Sequence, residues 1–218
     1  MTATPDPSAS PTTPDASTPA HSPAANTGKG WTSRLPFLLP LITLLAMVGF
    51  FTIGLQKDPS ILPSELIDQP LPEMNLAALP GRGGPHGDDP LTTEALTGEV
   101  SLVNIFGSWC IACRAEHPVL MRMSQQAFVP IHGIDWRERD PADGLEWLQL
   151  HGDPYDIVGQ DPDSKAAIDL GVTGAPETFV IDTKGVVRYK HIGPITFDDW
   201  NNRLMPLIET LRQEGAAG

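Results

Sequence analysis

The chain of 218 residues has only two cysteines, Cys110 and Cys113. A structural zinc site wants four ligands, usually two Cys or His pairs at regular spacing. No second pair exists: His21, His86, His117, His132, His151 and His191 are scattered, and only His117 lies near the cysteines in sequence. Basic residues are scarce as well. Two of the 27 acidic and three of the 14 basic side chains precede Asp58, so the remainder carries 25 against 11 and a formal charge of about −14. A surface of that sign argues against nucleic acid as a partner. Most of these carboxylates keep the surface soluble, and a minority can select a basic partner. Large apolar side chains are nearly missing from residues 1–30, where Pro, Ser, Thr and Ala dominate. Such a segment cannot bury enough surface to offset chain entropy, so residues 1–34 are expected to be a disordered tail. No internal repeat occurs.

Charge is absent from Leu35 to Leu55. At about 1.5 Å per residue this run reaches about 30 Å, the thickness of a bilayer's hydrocarbon core. A buried soluble helix would be shorter and less uniformly apolar. A secretory signal also begins with basic residues before an apolar stretch, but its core is shorter and a small-residue cleavage site follows; Gln56-Lys57-Asp58-Pro59 offers none. Residues 35–56 are therefore predicted to be a transmembrane anchor, with Pro36 and Pro40 in its first turns, where proline costs least. Lys29 and Arg34 precede the span and Lys57 alone follows it closely, which places the N-terminus in the cytoplasm. Residues 57–218, one stretch of ordinary domain size, then lie outside.

What the sequence does have is Gly-Ser-Trp109-Cys110-Ile-Ala-Cys113-Arg-Ala-Glu116-His-Pro118. Two cysteines at this spacing can close a small ring with each other and open it again, exchanging electrons with other proteins' thiols. Before them, Glu99 to Phe106 is an apolar run with β-branched Val100, Val103 and Ile105, which suits a strand buried on both faces. After them, Ala112, Ala115, Leu120, Met121 and Met123 mix with Arg114, Glu116 and Arg122 at helical spacing. Cys110 falls on the first turn of that helix, where unpaired N–H groups and the positive end of the macrodipole favour a thiolate. Cys113, one turn in, can resolve a mixed disulfide. Trp109 is expected to shield the attacking sulfur on one side.

The element order predicts an α/β domain. Leu71 to Leu76 adds a short strand or hairpin arm, Glu99 to Phe106 is the first core strand, and the cysteine helix runs to about Gln126. Val129 to Asp135 is the next strand, parallel to the first through a right-handed crossover. Pro141 starts a helix that ends at Gly152, and Ser164 to Leu170 forms a shorter one. Thr178 to Ile181 and Val186 to His191 flank the turn Asp182-Thr-Lys-Gly185 as an antiparallel hairpin. Thr196 caps a last helix.

The stretch Phe106 to Pro118 resembles the active-site segment of thioredoxin-like proteins. Together with Gly171-Val-Thr-Gly-Ala175-Pro176-Glu177-Thr-Phe-Val-Ile-Asp182 and Arg188-Tyr-Lys-His-Ile-Gly-Pro194, it looks like one branch of them, the membrane-anchored thiol:disulfide interchange proteins of cytochrome c biogenesis. The likeness covers about Leu62 to Leu211. Two features depart: Ile111-Ala112 stands where many members carry a proline, and the Gly/Pro-rich stretch Gly81 to Pro90 is long, which is expected to change only a surface loop. The resemblance implies a thioredoxin-like fold, a central mixed sheet flanked by helices and preceded by one transmembrane helix. It implies that Pro176 is cis and lies against the cysteine pair, so that the backbone of Ala175 docks an incoming extended peptide. On that fold Glu116 and Glu177 would lie near the sulfurs as partly solvated carboxylates, disfavour the thiolate and make the pair a better reductant. His117 is read as a polar helix residue.

By the same resemblance the location is a bacterial inner membrane with the domain in the periplasm. The partners are apocytochrome c, whose haem-attachment cysteines must be reduced, or a dedicated thiol protein, and a membrane electron donor that restores the dithiol. No cofactor of its own is implied. Two other readings stay open: a copper-binding thioredoxin-like metallochaperone using both cysteines and a histidine, and a general disulfide oxidase.

Overall fold

The structure, a computed structural model, describes residues 35–55 and 66–217. The tail expected over residues 1–34 lies outside the described residues. Helix α1 (Leu35–Leu55) runs for 21 residues with Pro40 inside it. Its side chains are described from Leu38 to Thr52, nearly all exposed, and among the described residues no helix is long and apolar enough to cross a membrane. The reading of α1 as a span therefore rests on the sequence of the whole run. It belongs to a separate unit from the rest of the chain.

In the second unit, apolar residues alternate along each central strand, and that alternation builds two cores. On β3 (Ser101–Phe106), Leu102 and Phe106 enter one cluster while Val103 and Ile105 enter the other. Both faces of β3 are thus covered, as its continuous apolar run required. The first cluster receives Val119, Leu120 and Met123 of α2 (Ile111–Gln125), Trp147 and Leu148 of α3 (Pro141–His151), and Ile208 and Leu211 of α6 (Met205–Ala217). The second receives Ala167 of α4 (Lys165–Asp169) and Leu170 just after it. Each fully buried side chain of this size stabilises the fold by about 1.5–3 kcal/mol relative to exposure.

The five-stranded sheet has the order β5-β4-β3-β6-β7. Strands β3, β4 (Ile131–Trp136) and β5 (Val158–Asp161) are parallel, whereas β6 (Glu177–Ile181) and β7 (Val187–Ile192) pair antiparallel beside β3. This is the mixed thioredoxin-like sheet. A separate ladder joins β1 (Asn75–Leu76) to β2 (Leu91–Thr92). Thr196 caps α5 (Phe197–Asp199) in a reciprocal capping box with Asp199, and a π-helical turn over Trp200–Leu204 leads into α6.

Strand β5 was not foreseen, and one expectation is corrected: the stretch Gly81 to Pro90 is not only a surface loop. Its Arg82 is buried, pairs with Asp153 at 2.6 Å and donates to the carbonyls of Tyr155 and Asp156.

Candidate active site

Strand β3 ends at Phe106, and Gly107-Ser108-Trp109 turns the chain into α2 with Cys110 as its cap. Cys110 has extended backbone angles, and its sulfur accepts the Cys113 N–H at 3.0 Å. A sulfur in this place, once reduced, keeps that donor and faces the positive end of the helix, so its thiolate form is favoured. The two cysteines are joined in a disulfide with their Cα atoms 5.3 Å apart. Both are buried, at 5% and 2% exposure, and both belong to the first core cluster, but Cys110 is flanked by exposed side chains, Trp109 at 50% and Ile111 at 87%.

The ladder brings the second sequence segment to the same end of the sheet. Ile105 stands opposite Glu177, so Pro176 and Ala175 continue past β6 at the end from which the Cys110 loop departs. The Ala175–Pro176 peptide is cis. Pro176 is buried, whereas Ala175 is partly exposed and packs against the cluster that contains both cysteines.

Residues 67–190 match the model of the AhpC/TSA family. The chain is 43% identical over 180 residues to the thiol:disulfide interchange protein DsbE of Allochromatium vinosum, a match covering 81% of this chain and 94% of that protein. Against the DsbE of Pseudomonas aeruginosa it is 40% identical over 187 residues, with 84% and 98% covered. The chain belongs to the AhpC/TSA family, as one of its DsbE-type thiol:disulfide interchange proteins. A DsbF homologue from Corynebacterium diphtheriae shares the fold, with a TM-score of 0.56 at 21% identity over 71% of this chain and 97% of that one. As a DsbE-type protein the chain is a thiol:disulfide oxidoreductase, and Cys110 and Cys113 are the only sulfur pair in the sequence able to carry the exchange.

The two acids expected near the sulfurs of this DsbE-type site are sealed rather than partly solvated, at 1% exposure for Glu116 and 0% for Glu177. Glu116, one turn beyond Cys113, accepts from Asn104 Nδ2 at 2.9 Å and from the Ile195 N–H at 2.9 Å. Both donors are neutral. Burial therefore dominates and pushes its carboxyl up to about 7, against the lowering effect of the two hydrogen bonds. Glu177 instead faces Lys190 Nζ at 2.9 Å and accepts from the hydroxyl and N–H of Thr173 and the N–H of Gly174.

Asn104 and Tyr155 were not singled out from the sequence. Asn104 links Glu116 to Thr178, and its Oδ1 accepts from the Tyr155 hydroxyl at 2.7 Å. Its position in an apolar run was the available signal, since a lone amide inside a buried strand must find partners. His117 is a polar residue of α2, as read, and it is buried: it lies edge-on to Trp147 at 4.5 Å and hydrogen-bonds the Gly152 carbonyl at 3.0 Å. Burial lowers its pKa. Trp109 folds back on β4, donating its indole N–H to the Trp136 carbonyl at 3.0 Å. Among the described residues no group of three His, Cys, Asp or Glu side chains could hold a metal ion.

Proposed function

We propose that this chain is a membrane-tethered periplasmic reductant that keeps the haem-attachment cysteines of apocytochrome c, or a dedicated thiol partner, reduced during cytochrome c maturation. The observation that carries the reading is the placing of Cys110 as a helix cap between two exposed side chains, joined to Cys113 one turn below. The Cys110 thiolate attacks one sulfur of a partner disulfide, forming a mixed disulfide and releasing the partner's other sulfur as a thiolate. Cys113 then attacks Cys110, frees the partner as a dithiol and leaves the chain oxidised. Two electrons have passed to the partner, and a membrane donor of two electrons and two protons resets the pair.

Glu116 supports the direction of flow. A buried acid compensated by no cation disfavours negative charge on nearby sulfur and so disfavours the reduced form, which makes the pair a better electron donor. The cis Ala175–Pro176 segment at the same sheet end offers extended backbone beside the sulfurs for a peptide to pair with. The charge-free run Leu35–Leu55 supplies the tether, and Lys29 and Arg34 ahead of it orient the domain outward.

The test is a Cys113→Ser full chain expressed in its membrane, with whatever remains bound to Cys110 identified under non-reducing conditions. Capture of apocytochrome c or of one thiol protein of the maturation system is expected. The reading is overturned by an empty Cys110, and its direction by a reduction potential well above that of a glutathione pool.

A further inference from the structure

The loop that presents Cys110 is held by residues outside the cysteine helix. Ser108 donates its backbone N–H to one oxygen of Glu138 and its hydroxyl to the other, the latter at 2.8 Å. Trp109 is tied to the Trp136 carbonyl and its ring meets that of Trp136 edge-on at 5.7 Å. Gly107 leaves the space this fold requires, since a Cβ there would stand 2.5 Å from the Trp109 indole nitrogen. The end of β4 and the residues just after it thus fix two of the three residues ahead of Cys110.

Behind Glu138 lies an anomaly. Asp135 is 1% exposed, and neither of its carboxyl oxygens has a donor. Helix α3 comes down directly on it, because a Cβ on Gly144 would collide with its carboxyl group. The charged groups acting on it are acidic, Glu138 beside it and Asp143 on α3, while the phenol of Tyr155 on the β5 side feels its charge in turn. Arg137 and Arg139 line a cavity of about 650 Å³ with Ser108, Trp109, Glu138 and Asp143. An ionised carboxylate without a donor, between like charges, costs several kcal/mol. A carboxylic acid in the same place is itself a donor, and Glu138 is the acidic neighbour that acts on it most strongly.

We propose that Asp135 and Glu138 form an acid pair sharing one proton, in which Glu138 is a positioning residue that fixes Ser108 and Trp109 and so aims Cys110, and Asp135 is the group that releases this hold as pH rises. The inference rests on Cys110 being the attacking sulfur. With one proton present, Asp135 donates to Glu138 while Glu138 accepts from Ser108. When the proton leaves, two adjacent carboxylates repel, Glu138 turns toward the cavity and Ser108 loses its acceptors. Burial, then the Glu138 charge, places the proton's departure at about 8.

The experiment uses the oxidised full chain in detergent, whose disulfide-bonded cysteines do not titrate. The chain is labelled with 5-fluorotryptophan, and the Trp109 resonance is assigned by Trp109→Phe and followed across about pH 6 to 10. A titration of that resonance with a midpoint near 8 is expected. It should vanish in Asp135→Asn, which keeps a donor toward Glu138, and persist in Glu116→Gln. In the reduced protein, Glu138→Ala should slow mixed-disulfide formation with oxidised glutathione about tenfold, and Glu138→Gln should restore most of the rate. A Trp109 resonance that does not titrate, or that titrates identically in Asp135→Asn, overturns the proposal. So does a Glu138→Ala rate equal to the parent rate in protein whose Trp spectrum shows it folded. A failure of Cys113→Ser to trap a partner leaves the Trp109 titration untouched, so the two readings fail separately.

Discussion

Glu116 and Glu177 are the same residue type, equally hidden from water, at the same end of the sheet, yet they are compensated in different ways. Glu177 has a cation, Lys190, in addition to three donors from Thr173 and Gly174. Glu116 has two neutral donors and its carboxyl is pushed up to about 7. Burial alone does not decide whether an acid carries charge; the partner it is given does. The fold thus gives one buried acid a cation and leaves the other with neutral donors, its carboxyl raised to about 7.

Removing the cation is the strongest way to break this contrast. Lys190→Met leaves Glu177 buried without a counter-charge, and urea unfolding of the oxidised chain should show a loss of about 3–5 kcal/mol. A loss under about 1 kcal/mol would mean that Thr173 and Gly174 suffice and that the contrast is only apparent. Glu116→Gln sharpens it from the other side. The Glu116 carboxyl is held above its ordinary value of 4.5, so its protonated form stabilises the fold below that value, and this contribution is lost as pH rises through about 7. Above that point the Gln variant should exceed the parent in stability by about 1–3 kcal/mol, with no gain in acid. Equal unfolding curves at both extremes would sink the assignment. The smallest effect belongs to a surface counterpart. Asp199 accepts from the Thr196 hydroxyl and N–H, and those bonds lower its pKa against a burial effect that raises it. Its contribution is present above its unfolded pKa and disappears in acid. Asp199→Asn should cost no more than about 1 kcal/mol by thermal melting, because solvent is the alternative partner.

The strands with uniform apolar runs and the helix carrying both cysteines were legible because period and composition agree there. Strand β5 was not, since Val158-Gly-Gln-Asp161 has a single β-branched residue and no alternation. Its glycine makes sense only in three dimensions: a Cβ on Gly159 would lie 2.6 Å from that of Leu76 and 2.8 Å from that of Leu91, where the β1–β2 ladder presses on it. The pairing of Leu76 with Leu91 was equally hidden, because the chain between them is a long excursion rather than a tight turn. At the site, the cysteines and Pro176 could be read from spacing and resemblance. The partners of Glu116, Glu177 and Asp135 come from distant strands and loops, which no local pattern reports.

Arg82 couples the Gly81 to Pro90 excursion to the chemistry by a single peg. Its guanidinium grips the Asp153 carboxylate and the main chain at Tyr155, whose hydroxyl reaches Asn104 and through it Glu116. Beyond that peg, residues 83–90 hang mostly in solvent. The hanging part can therefore be lengthened or trimmed without disturbing the site, while loss of the arginine is felt at Glu116, which it never touches.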